Sequence, residues 1–322
     1  MMRRKLLLAL LVVCLLATAS LIPADAHKQS PDSAVRREVA VTIDDLPAIQ
    51  ANSLKEVTEI TRKLLRSLTA NRVPAIGFVN EGKLERPGGA EAHTALLQMW
   101  LDAGMELGNH TYSHCGVDQT PLEAYEQDVI RGETVTRQLL ELKGMKLRYF
   151  RHPYLHTGPT PEYKRGLDRF LAARGYATAP VTIDNNDYVF SFIYARAKAR
   201  GDAATMRRVS EAYLTYMETI FEFFERLSRE ALGYEVRQTL LIHASALNAD
   251  HFDDLAAMMK RRGYTFVSLG RALADPAYRL PDAQVKKGLS WIHRWMIAKG
   301  QEYKPEPLEP EFITKMYEAA RR

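Results

Sequence analysis

The chain has 322 residues, 44 basic and 39 acidic, for a net charge of +5, and 46% of its residues are hydrophobic. That is enough apolar material for one large α/β core. The small charge excess and the lack of any basic–aromatic stripe give no support to nucleic-acid binding. The two cysteines, Cys14 and Cys115, rule out a disulfide framework.

The first segment is Met1-Met2-Arg3-Arg4-Lys5, then an apolar run from Leu6 to Ala17, then Ala24-Asp25-Ala26. A basic start, a short apolar stretch and a small-residue cleavage site make the plan of a secretory signal peptide. The apolar run is too short to span a bilayer, and Cys14 lacks the small residues expected before a lipidated cysteine. The expectation is a signal peptide over 1–26, a mature protein starting near His27, and an exported, periplasmic or secreted product with no stable membrane insertion after cleavage. Cleavage removes Arg3, Arg4, Lys5 and Asp25, so the net charge falls from +5 to +3, and Cys115 is the one mature cysteine.

Strand and helix patterns then alternate. Val39 to Asp45 reads as a buried strand ending in two acids and stopped by Pro47. Ser53 and Glu56 form a capping box that opens a helix to about Thr69. A second strand is expected over Pro74–Val79, a helix over Glu91–Ala103, a third strand over Met105–Asn109, and a helix from Thr120-Pro121 to about Leu142. A fourth strand follows at Leu147–Arg151, a helix from Thr160-Pro161 to Gly175, and a fifth strand at Tyr176–Ile183. The apolar spacing of Val209, Tyr213, Met217, Ile220, Phe224 and Leu227 places a helical insert at about 190–231. Thr239–His243 is the sixth strand, Ala249–Arg262 a helix, and Tyr264–Leu269 the seventh strand. Repeated strand–helix units imply a parallel sheet, barrel-like or doubly wound. A Pro-richer tail carries Trp291 and Trp295 one helical turn apart, a spacing that suits burial.

Polar residues cluster at the expected strand ends, where parallel folds place their chemistry. These are Asp44-Asp45, His110 to His114, Arg151 to Tyr154, Asp184 to Tyr188, and His243. His110 and His114, four residues apart, can both reach one ion, and a carboxylate completes a three-ligand set with open positions. Adjacent acids repel and raise one pKa unless a cation is shared. One of Asp44 and Asp45 can therefore bind the ion while the other takes a proton. An isolated Asp-Asp pair or His-x3-His pair is also compatible with a helix cap or a structural role.

Together these motifs resemble the polysaccharide deacetylases of carbohydrate esterase family four, over roughly Val39 to Leu269. The resemblance implies a distorted (β/α)7 barrel at 27–275, with a C-terminal helical extension at 276–322 packed on it. It implies Asp44 as catalytic base, with Asp45, His110 and His114 as ligands of one divalent ion, zinc first, with cobalt, manganese or nickel as alternatives. Arg151 would orient the base, the Tyr154 N–H would help hold the oxyanion, and Asp187 would pair with His243, the general acid. Tyr188 and Leu240 would line the substrate pocket. The implied activity is removal of an acyl group, most simply N-acetyl, from an acetylated glycan. The family usually has Gly where Leu46-Pro47 stands and Trp where Tyr188 stands, so the loop beside the base should be bulkier and the pocket wall more polar.

The insert leaves the barrel just after Asp187-Tyr188 and is expected at the rim of the cleft, narrowing it. Two other functions remain open at this point: a non-haem iron oxygenase using two His and one Asp, or a glycan-binding relative without catalysis.

Overall fold

Strand β1 (Arg37–Leu46) is the strand on which the sheet is assembled. Val39 to Ile43 are buried throughout, as expected for a parallel strand covered on both faces. This computed structural model describes residues 37–321; the expected signal peptide at 1–26 lies outside them. Along its length β1 pairs in parallel with β2 (Ile76–Val79) and β6 (Gln238–His243), and its start pairs with β7 (Tyr264–Phe266). Beyond β2 come β3 (Glu106–Asn109), β4 (Tyr149–Phe150) and β5 (Ala177–Thr178), giving the order β5-β4-β3-β2-β1-β6. A single bridge between Ile183 and Leu240 joins the chain after β5 to β6 and closes the ring. Helices surround it, so the fold is a distorted (β/α)7 barrel.

The strands β4 and β5 are shorter than their apolar runs suggest. After β5 the chain crosses from β4 to β6, and Pro180, which has no N–H, cannot extend a ladder. Helix α1 (Leu54–Ala70) starts at its expected cap: Ser53 accepts a hydrogen bond from the Glu56 N–H. The Glu56 carboxylate returns to the Asn52 N–H, one residue earlier than the simplest capping box. Helix α2 spans Ala90–Asp102. The helix expected from Thr120 to Leu142 is two, α3 (Leu122–Arg131) and α4 (Thr134–Leu142). The break falls at Gly132, where a Cβ would stand 2.5 Å from both the Thr111 carbonyl carbon and the Tyr112 nitrogen. The backbone of the histidine-bearing loop occupies the space that a side chain would need.

After α5 (Pro161–Ala173), the single helical insert expected at 190–231 is also two helices, α6 (Asp187–Ala199) and α7 (Ala203–Leu232), separated at Gly201 with φ +68°. The six apolar residues spaced by three and four in α7 are all buried. They face α6, α8 (Ala246–Arg261) and α10 (Trp291–Ala298), so α7 is an outer helix of the barrel. Short α9 (Leu269–Ala272) follows β7, and α11 (Glu311–Arg321) packs on α6. Trp291 and Trp295 are buried in α10. No helix among the described residues is long and apolar enough to cross a membrane.

Gly132→Ala should destabilise the protein by about 1–3 kcal/mol, the usual cost of forcing atoms into packed space. The urea midpoint should fall while the slope stays constant; an unchanged midpoint would show that the loop and helix separate freely.

Candidate active site and metal centre

In a regular strand Asp44 and Asp45 would point to opposite faces. They do not, because the β1–β2 register shifts between Ile43 and Leu46 and Asp45 adopts φ +72°. Both carboxylates line one cavity of about 670 Å³ at the carboxyl end of the barrel, within the size range of ligand sites. Leu46 turns inward instead, filling the space over Gly77. The extra bulk expected beside the base is thus largely core packing, and Ile49 and Gln50 form that cavity wall.

The histidine loop leaves the end of β3. Asn109 organises it: its Oδ1 accepts from the Thr111 N–H at 2.7 Å and its Nδ2 donates to the Val129 carbonyl at 3.0 Å. Thr111 and His114 have positive φ, +64° and +60°, and the Thr111 hydroxyl accepts from the His114 N–H at 3.0 Å. The result folds His114 back on His110, ring centres 4.9 Å apart. His110 Nδ1 lies 2.8 Å from the Arg151 carbonyl. A carbonyl can only accept, so Nδ1 carries the proton and Nε2 presents its lone pair to the cavity.

Asp45, His110 and His114 each offer one ligand atom, all within 4.8 Å of one another. Metal–ligand bonds near 2.0–2.2 Å let one ion sit among atoms so spaced, so the donor set fits a divalent cation. Lys83, which sequence reasoning missed, lies beside it: Nζ is 2.8 Å from Asp45 Oδ1 and donates to the Asp45 carbonyl at 3.1 Å. Its only sequence signal is a cation placed just after the end of β2. Burial alone would raise the Asp45 pKa, but Lys83, His114, His243 and His110 hold it below the usual carboxylate range.

Asp44 has a different environment. It is buried, its Oδ1 has no hydrogen-bond partner among the protein groups, and Arg151 Nη1 lies 3.7 Å from Oδ2. Burial pushes its pKa up to about 6, with Arg151 and His243 opposing the rise. Fully buried Arg151 is itself fixed by its Nη2 bond to the Thr42 hydroxyl, 2.8 Å, and lies over the Phe78 ring. Two neighbouring acids thereby acquire different properties, the pattern by which sites separate a base from a ligand.

Across the cavity, His243 Nδ1 is 2.6 Å from Asp187 Oδ1, and the His243 N–H donates to Asp187 Oδ2 at 2.8 Å. Asn248, also missed, donates to Asp187 Oδ2 at 2.7 Å and to the His243 carbonyl at 2.8 Å. Burial lowers the imidazole pKa, but the Asp187 charge and hydrogen bond outweigh it and raise it to about 9.

Tyr154, Asp184 and Tyr188 line the same cavity. Leu240, expected in the pocket, does not. It is fully buried in the barrel wall, opposite Val41 and bridged to Ile183. Strand alternation places Leu241, two residues before His243, on the cavity side instead. His152 is buried and lines the cavity, which His156 also lines. Tyr188, in the first turn of α6 and just ahead of the insert expected at 190–231, lines the cavity, and no residue of α7 does. The expected narrowing of the cleft by the insert is therefore not found, because α7 spends its apolar face on the barrel side.

The polysaccharide deacetylase family model matches residues 32–165. The matched stretch contains Asp44, Asp45, both histidines, Arg151 and Tyr154; Asp187 and His243 lie beyond it and are joined to them by the fold. Among solved structures, the chain is similar to a peptidoglycan deacetylase from Bacillus subtilis at 18% identity, covering 74% of this chain and 90% of that one, TM-score 0.46. It is similar to a family 4 carbohydrate esterase from Streptomyces lividans at 19% identity, covering 80% and 99%, TM-score 0.44. It is also similar to a family-four pseudoenzyme from Bacillus anthracis at 16% identity, covering 74% and 66%, TM-score 0.44.

Two substitutions separate the adjacent acids. Asp45→Ala should collapse metal affinity, with partial recovery of activity at high metal concentration. Asp44→Asn should keep near-stoichiometric metal yet lose roughly 10²–10⁴-fold in turnover, and added metal should not rescue it. Metal content measured beside turnover checks both; loss of metal from Asp44→Asn with retention in Asp45→Ala would reverse the roles.

Proposed function

We propose that this chain is an exported, metal-dependent hydrolase that removes an acyl group, most simply N-acetyl, from a glycan of the cell envelope or environment. The observation that carries this reading is the separation of Asp44 from Asp45. One is buried beside Arg151 with a free oxygen and a pKa near 6, and the other is turned into the His110–His114 pair. The family match over residues 32–165 supports the same reading.

When bound, the divalent ion, with zinc the first candidate, polarises the acyl carbonyl and lowers the pKa of water beside it. Asp44 accepts the proton of the attacking water through its unpartnered oxygen, held in place by Arg151. The Tyr154 turn contributes its N–H to the developing oxyanion. His243, charged near neutral pH and held through Nδ1 by Asp187, delivers a proton from Nε2 to the departing amine. Tyr188, ring centre 6.3 Å from that of His243, forms the neighbouring wall with its polar tip. In an iron oxygenase the Asp44–Arg151 and Asp187–His243 pairs would have no task.

The test is acetate release from a panel of N- and O-acetylated glycans by the zinc-loaded protein without oxygen. Release is expected, and turnover should fall as pH rises, because deprotonated His243 has no proton to give. The group's raised pKa puts that limb at about 9, or lower with a cation bound nearby. Asp187→Asn removes the charge that raises the pKa, so the limb should move to lower pH. Absence of release from every acetylated glycan would support a non-catalytic protein, and turnover that requires oxygen would support the oxygenase.

A further inference from the structure

The turn that carries Tyr154 is held in a conformation that its sequence does not favour. Tyr154 and Leu155 are consecutive non-glycine residues with φ of +56° and +54°, a left-handed geometry that L side chains resist. Something outside the turn must hold it, and the supporting contacts come from the C-terminal extension. Arg294 in α10 is fully buried, and its guanidinium lies over the Trp291 ring. Nη2 donates to the Leu155 carbonyl at 2.7 Å and Nη1 to the Thr157 hydroxyl at 3.2 Å. The same group also donates to the Ala283 and Leu289 carbonyls, both at 3.2 Å. One planar fork thus binds the turn and the segment lying over it.

Gly288 completes the contact: a Cβ there would stand 1.9 Å from the Tyr154 carbonyl oxygen. The far end is tied down by the Ser290 hydroxyl on the Thr182 carbonyl, 2.8 Å, and by the Trp291 N–H on the Val181 carbonyl, 2.7 Å. Lys287 and Gly288 line the cavity that holds Asp44 and His243. Arg294 forms no ion pair among the described residues, so its burial carries a desolvation cost that an apolar side chain would avoid.

We propose that residues 283–294 are a strut that fixes the Tyr154 turn, with Arg294 as a positioning residue for the oxyanion-binding N–H. This rests on the hydrolase reading for the role of that N–H. The strut lies outside the family-matched segment, so it makes the extension part of the catalytic apparatus.

Arg294→Lys keeps the charge and loses the fork; Gly288→Ala leaves the guanidinium in place and pushes on the Tyr154 carbonyl. In both, kcat should fall roughly 10²-fold, the effect expected of a small misplacement, while KM and metal affinity stay near wild type. Amide hydrogen exchange over residues 153–157 should also quicken in both. Folded variants with wild-type kcat, or with losses confined to KM, would overturn the proposal. Should the wild type release no acetate from any glycan, the hydrolase reading fails, but exchange still decides the strut: unchanged protection at 153–157 in Gly288→Ala overturns it.

Discussion

The site depends on one irregularity in one strand. A regular β1 would send Asp44 and Asp45 to opposite faces, one to the cavity and one toward the core. The register shift after Ile43 and the left-handed Asp45 bring both to the cavity. Bulges that re-aim a side chain are characteristic of functional strand ends. The arrangement is held by burial on all sides: β6 pairs with β1 as far as Asp44, and Leu46 locks into the space above Gly77.

Once both acids face the same way, their surroundings separate them. Lys83 and the histidines favour the ionised form of Asp45, whereas burial dominates at Asp44. The opposite wall reverses this balance: Asp187 overcomes burial and keeps His243 charged. The site therefore contains a buried acid of raised pKa and an imidazole of raised pKa, the pairing needed to take a proton at one step and give one at the next. The hydrogen bonds of Asn109 and Asn248 stand behind these groups and fix their directions.

Much of this was legible because barrel chemistry gathers at strand ends. The acids after β1, the histidines after β3, Arg151 after β4 and His243 at the end of β6 could be placed on one face from the strand–helix alternation alone. Leu240 was misplaced because an all-apolar run does not reveal which residues face the cavity; the register with β1 decides that, and it selects Leu241. The break at Gly132 was missed because its cause is the loop at Thr111, distant in sequence. Lys83 and Arg294 were unreadable for a related reason: single basic residues in a mixed-charge sequence gain meaning only when a fold buries them. The insert was correctly helical but wrongly assigned to the rim, since its apolar stripe specified a buried face without saying which surface would bury it.

The most direct measurement is a crystal structure of the zinc-loaded protein with anomalous data at the metal edge. The account predicts one ion bonded to an Asp45 carboxylate oxygen, His110 Nε2 and His114 Nε2 at roughly 2.0–2.2 Å, with Asp44 outside the coordination sphere beside Arg151. An ion bonded to Asp44, or an ion bound elsewhere with this triangle left vacant, would contradict it.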